Sequence, residues 1–358
     1  MRMPSRDVLL LAAGQALTST VVALLTSVSS LSGAYLAPAP ALSTAPVTAT
    51  VLGTLVMIYP ASVLMGRLGR RGGFMFKSGI GVIGGAVCAL AMLAGSFVTL
   101  IAGTFLLGLF SAFGQYYRFA AIDAARSVQE RTAAVAVVTA AGAVGGVAGP
   151  FLGGNFGGVM RVPYSYAGAF VALSLVCAAL AASQSLLSND LGREPGRQGE
   201  ADNAPGFTLN AGFIRASAIC AVGFAVMTLT MNAAPLSLQL CGYSLPVSAA
   251  VLQVHFALMY LPSLLNPALV AAIGLRSLVA LGVAASGAGC LLTVLTERTL
   301  GMYVVELGLS GLGWNFMFNG GTLLLANTYP ASRRIRAQGL NSLFVYGANL
   351  AASFSAGA

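Results

Sequence analysis

Four residues in one stretch of this sequence have the types and spacing to hold a soft metal ion. Met227 and Met231 lie in the apolar run FIRASAICAVGFAVMTLTMNAA, and His255 and Met259 in VSAAVLQVHFALMYLPSLL. His255 is the one histidine among 358 residues. Each pair is spaced i, i+4, which puts its members on one face of a helix. Thioether sulfur and neutral imidazole suit Cu(I), and they bring no charge into an apolar interior. If the first helix ends near Ala234 and the second begins near Val247, a rise of about 1.5 Å per residue sets Met227 and His255 at a common depth, roughly 10–12 Å below one membrane face. Core packing is the competing reading, because methionine fills irregular gaps in apolar helices and the chain has 12 of them. A lone intramembrane histidine is costlier, and such groups face a cavity or a bundle interior.

The elements that must position these side chains are membrane helices. Hydrophobic residues make up 57% of the chain and charged residues 8%, with mean hydropathy +0.86. So few charges cannot solvate the surface of a soluble protein of this size, so the class is an all-α polytopic membrane protein. The net charge of +9 sits in short loops, where it signals topology and leaves no nucleic-acid role. Cys88, Cys177, Cys220, Cys241 and Cys290 are scattered without a C-x-x-C, and four lie in apolar segments, which speaks against a disulfide scaffold. The basic start MRMPSRD leads into an apolar run long enough to stay as the first span, so no cleavable leader is expected.

Apolar runs place eleven spans, at about 7–31, 47–65, 74–94, 97–121, 132–153, 164–185, 212–234, 247–270, 275–296, 300–325 and 338–358. An amino terminus in the cytoplasm puts Arg2 and Arg6, then Arg67, Arg70, Arg71 and Lys77 in the loop between spans 2 and 3, on the inner side. Arg126, Arg131, Arg193, Arg197, Arg276, Arg333, Arg334 and Arg336 follow there, against Arg161 and Arg298 outside. The polar, Gly- and Pro-rich stretch between Ser185 and Phe207 reads as a cytoplasmic linker. The expected domains are a six-helix bundle over 1–185, a linker over 186–211 and a five-span bundle over 212–358. A six-plus-six duplication would add one more span at the carboxyl end.

Two short motifs carry the architecture. Between spans 2 and 3 the chain reads SVLMGRLGRRGG, which resembles the G-x-x-x-D-R-x-G-R-R loop of the major facilitator superfamily. Arg67, Gly69, Arg70 and Arg71 match, while Ser62 and Gly66 replace the family's glycine and aspartate, so the gating network attributed to that acid lacks its usual member. A basic loop that only enforces topology is the alternative. In span 5, GGVAGPFLGG places Gly145, Gly149, Pro150, Gly153 and Gly154 on the G-x-x-x-G-P-x-x-G-G pattern found in many superfamily members, notably exporters. Small residues four apart allow close backbone approach and proline permits a bend; hinge and static packing both remain open. In span 4, Arg118 and Asp123 are candidates for gating or proton coupling, as is Glu306 in span 10, with snorkelling to the headgroups as the competing reading. The amides of GWNFMFNGG, Asn315 and Asn319, are read as helix-to-helix hydrogen bonds.

Over its whole length the chain resembles the major facilitator superfamily, and within it the bacterial copper importers that supply cytochrome oxidase of the cbb3 type. That resemblance implies two helical bundles, a copper role for Met227, Met231, His255 and Met259, and a supporting role for Cys220 and Cys241, the cysteines nearest the same two helices. It implies import of Cu(I) or a small copper complex across the bacterial cytoplasmic membrane by a monomer set in lipid, with handover to a copper chaperone and copper as cargo rather than prosthetic group. The alternatives are a superfamily exporter of a small organic molecule or drug, and a membrane assembly or sensing protein that binds copper without moving it. No Walker A motif or catalytic zinc signature is found, so no enzymatic reaction is expected.

Overall fold

Lipid offers no partner to a backbone N–H or C=O, so each apolar run must satisfy its own, and the helix does this within one segment. The computed structural model describes residues 5–355 apart from 40–41, 44, 126, 158–165, 190, 192–208, 244 and 296–298. Among the described residues the α-helices are α1 (Arg6–Leu36), α2 (Ala45–Ala94), α3 (Phe97–Ala112), α4 (Tyr117–Asp123), α5 (Val128–Ala140), α6 (Gly142–Gly157), α7 (Ala167–Gln184), α8 (Ala211–Leu240), α9 (Leu245–Tyr260), α10 (Asn266–Ile273), α11 (Leu275–Leu295), α12 (Leu300–Ala326) and α13 (Arg334–Ser355). Eight helical stretches are long and apolar enough to cross a membrane by length and composition. One of them, α2, is two expected spans run together, and α12 and α13 cover the last two. Ends are capped where sequence supplies a short polar side chain. Ser5, Ser96, Ser127 and Thr299 accept from the N–H three residues on, which satisfies one of the donors that the first turn leaves open.

The expected spans are less simple than drawn. The residues read as a loop between spans 2 and 3 are helical, and the chain turns at a single residue, Gly69, with φ 75° and ψ 171°. Such a conformation carries no steric cost for glycine. Lys77, expected in that loop, is consequently inside the second half of α2. Span 4 narrows to a 3-10 turn over Phe113–Tyr116, and span 8 does so over Leu261–Leu265, where Pro262 removes a backbone donor. Span 5 is divided between α5 and α6.

The helices gather into two units. The first comprises Met1–Ala124 and Val144–Pro195, the second Ala125–Ala143 and Gly196–Ala358. The second unit thus includes α5, which precedes α6 in the same expected span. In the first unit, Leu24 and Val28 of α1, Met92 of α2, Phe110 of α3 and Phe170 and Leu173 of α7 form the core. In the second, α12 runs through the middle: 18 of its 27 residues are buried, and α8, α9, α11 and α13 surround it directly or through α8. Of the linker, 192–208 lies outside the described residues, as do Arg126, Arg161, Arg193, Arg197 and Arg298.

Candidate functional site

Both soft-donor pairs are fastened to α12. His255 on α9 donates from Nδ1 to the Leu307 carbonyl at 2.8 Å. A carbonyl only accepts, so the proton of the neutral ring sits on Nδ1 and the lone pair on Nε2. Nε2 is buried without a hydrogen-bond partner, and the residue has 0% exposure. Leaving a buried polar atom unmade costs about 1–3 kcal/mol, so the arrangement favours a guest that accepts this lone pair. The approach of α9 to α12 depends on Gly311: a Cβ there would lie 2.7 Å from the His255 carbonyl oxygen and 3.2 Å from Nδ1. One turn on, Asn315 donates from Nδ2 to the Met259 carbonyl at 2.7 Å and accepts at Oδ1 from Asn266 at 3.0 Å. Helix α8 is fixed in the same way, with Thr230 Oγ1 2.7 Å from Ser310 Oγ and 3.1 Å from the Met227 carbonyl oxygen.

These backbone anchors bring the sulfur atoms into one neighbourhood. Met227, Met259 and Cys220 share a single buried cluster with Trp314 and Phe318, and Met231 packs against it. The Cys220 thiol lies 3.8 Å from the Phe318 carbonyl. Cys241 goes elsewhere. It is exposed, and its Sγ is 3.6 Å from the Tyr303 hydroxyl, beside a different cluster that contains Leu238, Val251 and Leu307. The two cysteines implied by the resemblance therefore separate, and Cys220 alone joins the methionines. Among the described residues no three His, Cys, Asp or Glu side chains group together. A metal at this cluster would be held by the thioethers and the Cys220 thiol, with His255 four residues from Met259 on α9, a donor set that suits Cu(I) better than a hard or borderline cation.

Sequence reasoning passed over the rings. Phe224 lies 6.1, 5.5 and 6.0 Å from Trp314, Phe318 and Tyr346 by ring centroids. Trp314 stacks on Phe318 at 4.7 Å and meets Tyr260 edge-on at 5.8 Å. Trp314 Nε1 is buried without a partner, as are both amide atoms of Asn341. The available signal was that Trp314 is the single tryptophan of the chain. The two amides expected to join helices do so: Asn315 as above, and Asn319, whose Oδ1 accepts from Thr139 on α5 at 2.9 Å.

The gating candidates of the first unit form a different kind of site. Arg70 bonds Asp123 Oδ2 through Nε at 2.9 Å and Nη2 at 2.8 Å, with both side chains buried. Position 66 carries no acid, and Arg70 finds its carboxylate partner on α4 instead. Arg67 is exposed, and Arg118 is buried with its guanidinium 4.6 Å over the Phe119 ring. Gly149 seals α6 against α1, since a Cβ there would lie 2.5 Å from Ala23 Cβ and 2.7 Å from the Leu24 nitrogen; the side chain of Pro150 lies outside the described residues. Glu306 is buried on α12 in the second unit.

A family model described as Major Facilitator Superfamily matches residues 8–356. A riboflavin transporter of Brucella anthropi, RfnT, is 30% identical over 98% of this chain and 88% of its own length. An uncharacterized transporter of the same superfamily from Bacillus subtilis, YdeG, is 28% identical over 78% of this chain and 69% of its own. Among solved structures, the proton:xylose symporter XylE superposes with TM-score 0.71 at 12% identity, covering 98% of this chain and 87% of that one. A bacterial homologue of the iron transporter ferroportin in its outward-facing state gives 0.69 at 16% identity over 99% and 92%.

Proposed function

The chain belongs to the major facilitator superfamily and is an integral membrane secondary transporter; we propose that its cargo is copper, as Cu(I) or a small copper complex, moved inward across the bacterial cytoplasmic membrane for cuproenzyme assembly. One observation carries this reading: Met227, Met259 and Cys220 share a buried cluster against which Met231 packs, while His255 on the same helix as Met259 keeps its Nε2 lone pair uncommitted. Apolar packing explains methionines. It does not explain an imidazole whose tautomer is set by Leu307 and whose other nitrogen faces no donor. Neutral soft donors let a Cu(I) ion pass without burying a counter-charge, and modest affinity at each of them allows release. In this reading the amino terminus is cytoplasmic, the chain works as a monomer, and a chaperone receives the metal.

A second reading has its own support. The rings of Phe224, Tyr260, Trp314, Phe318 and Tyr346 meet in the same region, with Trp314 Nε1 free to donate. Stacked faces with a few polar atoms recognise a planar heteroaromatic solute, and a relative of 30% identity is named a riboflavin transporter. The two cargoes are separated by offering radiolabelled Cu(I) and riboflavin in parallel to sealed vesicles that carry the full chain. Copper accumulation without riboflavin accumulation is expected. Saturable riboflavin uptake with no copper uptake would reject the copper reading in favour of the organic solute.

A further inference from the structure

Of the 18 Lys and Arg residues, one, Lys77, is a lysine, and it has 0% exposure in the interior of the first unit. Its surroundings are built for an ammonium. Nζ donates to Thr18 Oγ1 of α1 at 2.6 Å, and lies 4.5 Å from the ring centroid of Phe110 on α3 and 4.6 Å from that of Tyr117 on α4. Tyr117 is held in place by stacking on Phe74 at 4.1 Å, with 7° between the rings. One hydroxyl oxygen and two ring faces thus serve the ammonium, and ring faces attract a desolvated cation by about 2 kcal/mol. The ion pair of Arg70 with Asp123 does not include it.

A permanent cation would not call for lysine. Arginine stays protonated in proteins, whereas lysine releases its proton when its surroundings stop favouring the charge. The chain uses arginine at every other basic position apart from His255, and keeps its sole lysine fully buried, where a charge is costly. The cage is assembled from α1, α3 and α4 around a residue of α2, so the protonation state of Lys77 is tied to the packing of those helices. The titratable groups that face it are Cys177 of α7 and Tyr117 of α4; α1 presents Thr18 and α3 presents Phe110, which do not ionise. Arg118 turns its guanidinium to Phe119.

We propose that Lys77 is the proton site that couples transport to the proton gradient, taking up a proton in the Thr18–Phe110–Tyr117 cage and giving it back when the cage opens. This rests on the chain being a secondary transporter, and not on copper being its cargo. The test has two parts. In liposomes containing the full chain, the [15N]lysine spectrum has a single side-chain resonance, which should interconvert between ammonium and amine as the buffer is taken from mildly acidic to mildly alkaline. In parallel, accumulation of Cu(I) and of riboflavin is measured with and without an imposed proton gradient for wild type, Lys77→Met and Lys77→Arg. Both variants should lose about tenfold of the gradient-driven accumulation, the size of a typical coupling free energy, while cargo exchange without a gradient persists. Lys77→Arg is decisive against a static structural cation, because it keeps the charge and cannot release the proton. A resonance that stays in one form, or a full gradient response in Lys77→Arg, overturns the proposal. If wild type moves neither probe, or neither variant folds, the resonance decides alone.

Discussion

The two units each bury one ionisable side chain of a type used once in the sequence, and they treat it in opposite ways. Lys77 in the first unit has one hydroxyl oxygen and two ring faces at its ammonium. His255 in the second is gripped by one nitrogen and left open at the other. A filled cage holds what the side chain already carries, which for lysine is a proton. A buried lone pair without a hydrogen-bond partner leaves a valence unmet. Arg70 with Asp123 is a third case, in which two buried side chains of opposite type are paired with each other. The contrast teaches that burial alone does not mark a site, and that the partners each buried group has or lacks set what it can exchange.

The sharpest way to break the contrast is to remove the open valence. Met227→Leu and His255→Leu broadly keep volume and apolar character, and each should lower vesicular Cu(I) uptake by about 100-fold, the upper end of what loss of a metal-site partner costs. Met231→Leu should cost less, because Met231 packs at the edge of the cluster. His255→Leu deletes a buried polar atom with no partner, so the amount of folded protein should hold or rise. Loss of uptake together with undiminished folded protein separates a ligand from a packing residue. Near-normal uptake in both Met227→Leu and His255→Leu would leave the planar organic solute as the better cargo.

A smaller effect tests whether α12 sets the imidazole. Gly311→Ala places a methyl group 2.7 Å from the His255 carbonyl oxygen, in a seam with no room, and overpacking of this kind costs roughly 1–3 kcal/mol. Copper uptake should fall by about tenfold through displacement of His255 from Leu307, with no donor atom removed. Unchanged uptake and unchanged thermal stability would show that α9 tolerates the shift and that the grip on Nδ1 is dispensable.

The sequence was most legible where chemistry and periodicity coincide. Eleven apolar runs, the i, i+4 pairs and the superfamily motifs could be read because a membrane helix has a fixed length and a fixed face. What stayed hidden depends on the partner rather than on the residue. Nothing local to Gly66 says that Asp123, more than fifty positions later, supplies the carboxylate for Arg70. Positive charge at Lys77 reads as a loop signal until the helix is seen to continue past Gly69. The break of span 5 into α5 and α6, with α5 in the second unit, depends on which helices each half packs against, which no local run of residues states. The central place of α12 was hidden as well, because a helix that is buried on most sides has no polar stripe to give its position away.

The two cysteines give the smallest expected effect and the finest division of the second unit. Spacing cannot rank them, since Cys220 is seven residues before Met227 and Cys241 ten after Met231. Structure separates them by neighbourhood. Cys220 is buried with Met227 and Met259, whereas Cys241 is exposed near Tyr303. Cys220→Ser exchanges a soft donor for a hard one of nearly the same size, and should lower Cu(I) uptake about threefold while leaving uptake of an organic solute unaffected, as the metal's preference for sulfur requires. Cys241→Ser should leave both unchanged. Because the thiol of Cys220 is already near the Phe318 carbonyl, a serine hydroxyl there keeps a hydrogen-bond donor, so the folded state is not the variable. Equal uptake by the two variants would remove Cys220 from the copper path and confine the soft site to Met227, Met231, His255 and Met259. A larger loss in Cys241→Ser than in Cys220→Ser would move the path away from the α12 cluster altogether, towards the Ser237 and Tyr303 hydroxyls, which lie 2.6 Å apart.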